Sequence, residues 1–255
     1  MKNIGYLTVL GGLFILALAI GFIFQIPAAI SICPWADGTL SHLFIGSILA
    51  AVSVAALWIG GTGEFGALPA GSLNILVIAI STSIYFFQLA SQEGRQNMMF
   101  FGIISVFMAI VSGAAFLWSR RIPLSASSPT PGLVRASFGI FLAALILASG
   151  ALIFKIPVFP WALNRDSSVI FGCIFLGDAF YFLYGLLYPR WKNAFGQLLS
   201  FLAYDLVLIP PFLLLFKTVQ PEYRLNLIVY VGVLIYSGAV AVYYLFINPQ
   251  TRFGS

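Results

Sequence analysis

Two aspartates, Asp178 and Asp205, each stand about ten residues inside a long apolar run of this chain. A carboxyl group at the centre of a bilayer costs about 2.5–3.5 kcal/mol on insertion scales. Such a group therefore faces protein or water and not lipid. Each has polar company at helical spacing. Asp178, Tyr181, Gly185 and Tyr188 step by three, four and three residues, and Gln197, Phe201 and Tyr204/Asp205 by four and then three or four. A short loop between the two runs would bring antiparallel neighbours together. The expectation is a proton- or cation-binding site formed by Asp178 and Asp205 with Tyr181, Tyr204 and Gln197. The competing reading is an acid hydrogen-bonded to a neighbouring side chain or carbonyl, where it serves as packing glue.

A second stripe runs through Asn74, Ile78, Ser81, Tyr85 and Gln88. Its four–three–four–three spacing places it on one helix face, directed at protein or a polar path. Ser105, Ala109 and Gly113 form a small-residue ladder suited to close helix contact. The single histidine, His42, reads as an interfacial residue or as one ligand of a chlorophyll or haem iron shared with a partner chain. The two cysteines, Cys33 and Cys173, form no CxxC motif. With one histidine and no phosphate-binding loop, the parts of a metal cluster, a Cys–His nucleophile or a nucleotide site are missing. The reading is non-enzymatic.

These residues must be carried by membrane helices. Of 255 residues, 61% are hydrophobic and 7% charged, against about 25% charged in an ordinary soluble domain. So few charges cannot cover the surface of a soluble protein, and the same composition excludes a nucleic-acid partner. About 20 apolar residues cross a bilayer core. Eight such spans are predicted, near 6–25, 41–60, 71–90, 98–118, 136–155, 168–188, 195–216 and 225–247. The first is longer than a signal-peptide core and has a counterpart in mid-chain, so it is taken as a span. Pro210 and Pro211 are expected to kink the seventh.

Lys2, Arg120, Arg121, Arg135, Arg190, Lys192 and Arg252 fall on the side of the N-terminus. Arg95, Lys155, Arg165, Lys217 and Arg224 fall on the other. Seven against five places both termini in the cytoplasm, in a membrane of the bacterial inner type. Trp35, Trp118, Trp161 and Trp191 fit interfacial positions.

Sequence anchors recur. Phe24-Gln25-Ile26-Pro27 returns as Phe154-Lys155-Ile156-Pro157, and Pro34-Trp35 as Pro160-Trp161. Leu43 to Gly46 resembles Ile174 to Gly177 at an offset of 131, and Phe65-Gly66-Ala67-Leu68 resembles Phe195-Gly196-Gln197-Leu198 at 130. The expected architecture is all-α, with two tandem four-helix repeats in 1–119 and 136–255 related by a parallel pseudo-twofold. Residues 120–135, with Ser125, Ser127, Ser128, Pro129, Thr130 and Pro131, would be a polar linker.

Two functions fit. The first is a multi-pass accessory or scaffolding subunit of a larger membrane complex, in contact with other integral subunits, lipids, or apolar cofactors such as carotenoid, quinone or chlorophyll. The alternative is a proton-coupled secondary transporter that uses the mid-membrane aspartates.

Overall fold

The computed structural model describes residues 2–34, 37–126 and 128–253; Trp35 and Ser127 of the expectations above lie outside the described residues. Eight described helices are long and apolar enough to cross a membrane. They are α1 (Lys2–Ile23), α2 (Thr39–Thr62), α3 (Leu68–Ala90), α4 (Met98–Ser119), α5 (Gly132–Ile153), α6 (Arg165–Leu187), α7 (Trp191–Leu215) and α8 (Arg224–Val242). All eight expected spans are present. Most begin two to four residues earlier than apolarity alone suggests, because polar residues join the first turn. Asn164 shows how: its Oδ1 accepts from the Asp166 amide at 2.9 Å, capping α6 and drawing Arg165 and Asp166 into the helix.

Contacts divide the chain into two compact units. One holds Met1–Glu64, Val158–Leu163 and Ala194–Ser255; the other holds Phe65–Pro157 and Asn164–Asn193. The first unit thus contains α1, α2, most of α7 and α8, and the second contains α3 to α6. These groupings cut across the halves 1–119 and 136–255 drawn from the sequence.

In the first unit α1 and α2 form a tightly packed hairpin. A Cβ on Gly60 would lie 2.9 Å from the Val9 amide nitrogen, and one on Gly46 3.1 Å from that of Ile23. Only glycine admits so close a backbone. The hairpin of α5 and α6, in the second unit, is built the same way. A Cβ on Gly172 would lie 3.0 Å from the Ser149 carbonyl and 3.1 Å from the Ile153 amide nitrogen. Ile23 and Ile153 are 130 residues apart, but Gly46 and Gly172 are 126 apart. Each glycine is a point of close approach in its own hairpin, and the loop before α6 is four residues shorter than the loop before α2.

Both hairpins also leave their first helix by one route. Ile26 donates its amide to the Gly21 carbonyl and Ile156 to that of Ala151, each at 2.8 Å. The turn passes through Gln25 at φ 55° and Lys155 at φ 63°, the left-handed region that side chains other than glycine rarely enter.

In the second unit, small residues of α4 lie against α3. Thr82 donates to the Ser105 hydroxyl at 3.4 Å, and Gly113 faces Leu76. The Ser/Pro linker is tied down: Thr130 donates its amide to the Pro189 carbonyl at 3.0 Å, and Trp191 donates to that of Ser128 at 2.8 Å. Helix α7 runs through Pro210 and Pro211 to Leu215. Those prolines leave the carbonyls of Leu206 and Val207 without their helical N–H partners.

Candidate functional site

The stripe on α3 faces α6. Within the second unit Asn74 donates from Nδ2 to Oδ1 of Asp178 at 2.8 Å. The close approach at this point depends on Gly177, where a Cβ would fall 2.4 Å from Ile78 Cγ1 and 2.8 Å from the Asn74 carbonyl oxygen. The Asn74 side-chain oxygen is buried with no hydrogen-bond partner. It sits against Gly177, where an ideal Cβ would be 2.7 Å away. Farther along the same face, Ser81 lies beside Cys173, its hydroxyl donating to the Val77 carbonyl at 2.7 Å. One turn on, Tyr85 donates to Oδ1 of Asp166 at 2.7 Å, and Arg95 pairs with Oδ2 of Asp166 at 2.5 Å. Gln88, the last member of the stripe, is exposed.

The order of these contacts is antiparallel. As α3 advances from Asn74 through Ser81 to Tyr85, α6 runs back from Asp178 through Cys173 to Asp166. The eleven steps from Asn74 to Tyr85 span about 16 Å of helical rise, or roughly half a bilayer core. The result is a polar seam with Asn74 and Asp178 at one end and a charged cluster at the other. Asp166 fits the first turn of α6, where the helix dipole favours an anion. Its hydrogen bond in turn holds the Arg95 guanidinium more firmly protonated than an isolated arginine.

Asp205 belongs to the other unit. It is buried, and Ser237 on α8 donates to its Oδ2 at 2.7 Å, while its Oδ1 has no hydrogen-bond partner. Tyr204, one residue earlier on α7, is hydrogen-bonded through its hydroxyl to Tyr230. Gln197 is buried on the same helix. Tyr181 is buried on α6 in the second unit, beside Phe182. The five residues expected to form one aspartate site are thus distributed, with Asp178 and Tyr181 in one unit and Asp205, Tyr204 and Gln197 in the other. Each aspartate has its own neutral partner inside its unit.

The first unit also contains an aromatic cluster that includes the loop Val158–Leu163. Phe159 packs edge-on to Phe44 with centroids 4.9 Å apart, and near Tyr230 at 5.7 Å. Trp161 donates from Nε1 to the Ser41 hydroxyl at 3.1 Å, and Asn226 donates to the Phe159 carbonyl at 3.3 Å. His42 is buried in this unit and hydrogen-bonded through Nδ1 to Oε1 of Gln25 at 3.1 Å. A carboxamide oxygen only accepts, so Nδ1 is the donor in this bond. Gln25 in turn donates to the Phe22 carbonyl at 2.8 Å. Both cysteines are free thiols. Among the described residues no three His, Cys, Asp or Glu side chains converge as a metal site would require.

Asp166, Arg95 and Ser237 were not singled out from the sequence. The signal for Asp166 was available in Tyr85: a tyrosine on a polar stripe one turn from a polar loop needs a partner on the facing helix. Ser237 gave none, being a lone serine among apolar residues.

No protein family, no curated protein and no solved structure matches the chain.

Proposed function

We propose that this is a non-enzymatic membrane protein of the proton-coupled secondary transporter type, with Asp178 as a proton-binding group. The observation that carries the reading is the seam itself. A carboxyl group deep in an apolar helix, bonded to a neutral amide, lies on one helix seam with a charged cluster toward the helix end, interrupted between them only by Ile78 on α3. Intramembrane acids of this kind mark ion and proton pathways. Asp205, with Ser237 as its donor, is a second candidate group. Scarce polar side chains favour an apolar or amphipathic substrate. The test is reconstitution into liposomes with an imposed pH gradient. Proton flux should be present in the parent protein and lost in Asp178→Asn; flux unchanged in both Asp178→Asn and Asp205→Asn would end this reading.

A second reading, an accessory subunit in a larger complex, is favoured by a different feature. Phe100, Ile103, Phe107 and Ile110 on α4 are each more than half exposed and follow one helix face. Such a face suits lipid, a partner helix or an apolar pigment. Purification in mild detergent, with identification of co-purifying chains and an absorption spectrum, distinguishes the two. A colourless protein without stoichiometric partners would sink the subunit reading.

We infer further that the chain is a tandem duplication of a four-helix unit with a parallel pseudo-twofold. The shared turn at Gln25 and Lys155 supports this, as does the equivalent packing of Gly46 and Gly172. On this reading each compact unit combines the first hairpin of one repeat with the second hairpin of the other. The lysine and arginine distribution supports cytoplasmic termini in a bacterial-type inner membrane.

A further inference from the structure

The cluster at the charged end of the seam has more contacts than a surface ion pair requires. Asp166 uses both carboxylate oxygens, one for the Tyr85 hydroxyl and the other for Arg95. The three groups come from separate places: the last part of α3, the loop after it, and the first turn of α6. Arg95 is the only one outside a helix, in the loop that follows the left-handed Gly94 at φ 76°. Beneath the cluster lie Ser81 and the buried Cys173, then Ile78, then Asn74 and Asp178. The other charged groups at this end are Glu93, Lys155 and Arg165, all exposed.

We propose that Tyr85, Arg95 and Asp166 form a latch on the α3–α6 seam, and that releasing it admits water toward Asp178. The geometry supports this in two ways. The ion pair ties a loop to a helix start, so its loss frees the loop without removing any apolar packing. Tyr85 bonds the ion-paired carboxylate from a position one helical turn from Ser81, so a shift of Tyr85 uncovers Ser81 and Cys173 first. Water is necessary for any proton to travel onward, because Ile78 interrupts the polar side chains between Ser81 and Asn74. The latch rests on the reading of Asp178 as a proton-binding group, but its own operation is measured without transport.

Cys173 provides the reporter. In full-length protein carrying Cys33→Ser, in membranes open on both faces, Cys173 is reacted with a charged, lipid-impermeant methanethiosulfonate. Labelling should be slow in this parent. Arg95→Gln and Asp166→Asn should each speed it at least about tenfold, as expected when a minor open state becomes common. The exchanged pair Arg95→Asp with Asp166→Arg should return the rate toward the parent value. Lys155→Gln, which removes a charge at the same end without touching the latch bonds, should leave it unchanged. Tyr85→Phe keeps the ring and the ion pair, so it reads the hydroxyl alone even if the charge variants fold poorly, and should give a smaller increase. Labelling at the parent rate in Tyr85→Phe and in whichever charge variants elute as folded protein overturns the latch. Faster labelling combined with unaltered proton flux in Asp178→Asn keeps the latch and rejects the transport reading.

Discussion

Asn74 and Asp178 are joined by a 2.8 Å hydrogen bond between helices whose contacting residues are 104 positions apart. Interhelical hydrogen bonds of this kind contribute about 0.6 kcal/mol on average and up to about 1.7 in membrane proteins. A double-mutant cycle with Asn74→Leu and Asp178→Leu, read by reversible unfolding in detergent, should give a coupling energy of about 1 kcal/mol. A coupling indistinguishable from zero would mean that the two side chains do not share a bond.

Gly177 and Gly238 look alike in sequence, each next to an aspartate contact, yet they predict opposite outcomes. Alanine at Gly177 would press its Cβ to 2.4 Å from Ile78 Cγ1 and 2.8 Å from a backbone oxygen. Gly177→Ala should therefore cost about 1–3 kcal/mol of stability, typical of overpacking, and separate α3 from α6. At Gly238 the nearest atom is Oδ2 of Asp205 at 3.5 Å, an ordinary contact. Gly238→Ala should change the unfolding midpoint little. Equal effects for the two variants would show that the α3–α6 contact is looser than described.

Lys155 is exposed and holds the left-handed turn that ends α5. A residue with a Cβ loses about 1–2 kcal/mol in that conformation. Lys155→Gly should raise stability by up to about 1 kcal/mol, and Lys155→Val should lower it by more than that. Thermal unfolding of the purified variants decides; a destabilised glycine variant would contradict the backbone assignment.

Cys33, in the loop between α1 and α2, has its thiol pushed up to about 11, first by burial and then by the nearby Asp37 charge. A raised thiol pKa lowers the thiolate population at every pH below it. At pH 8 only about one Cys33 in a thousand would be thiolate, against a good fraction of an unhindered cysteine. Maleimide labelling of Cys33 should thus be slow at pH 8 and accelerate about tenfold per unit as pH rises toward 11. Asp37→Asn should speed it at fixed pH. A rate that levels off near pH 9 would disprove the shift.

The helices themselves were legible in the sequence, since each needs only a sufficient apolar run and no knowledge of its neighbours. The α3 stripe was legible for the same reason: helical period shows which residues share a face. Its partner was not, because nothing local says that Tyr85 meets Asp166 rather than a residue of α4. Asp178 and Asp205 show the limit most clearly. Adjacency along the chain suggested one shared site, whereas the partners found, Asn74 on α3 for Asp178 and Ser237 on α8 for Asp205, lie on helices that spacing does not point to. Gly177, beside Asp178, provides the gap that admits α3, but its spacing does not say which helix fills it.

The loop Val158–Leu163 has a consequence for biosynthesis. It sits among α1, α2, α7 and α8, though the helices on either side of it belong to the other unit. During translation α3 to α6 emerge as nearly unbroken chain and can pack on one another at once. The α1–α2 hairpin cannot. It must wait in the membrane, with Phe44 and Ser41 exposed, until Phe159 and Trp161 have been made and then α7 and α8 after them. Contacts between such distant segments close late and slowly. The earliest helices to enter the membrane are therefore among the last to find their partners, and a ribosome stalled after α6 would leave them open to a lipid bilayer or to a chaperone that recognises unpaired membrane hairpins.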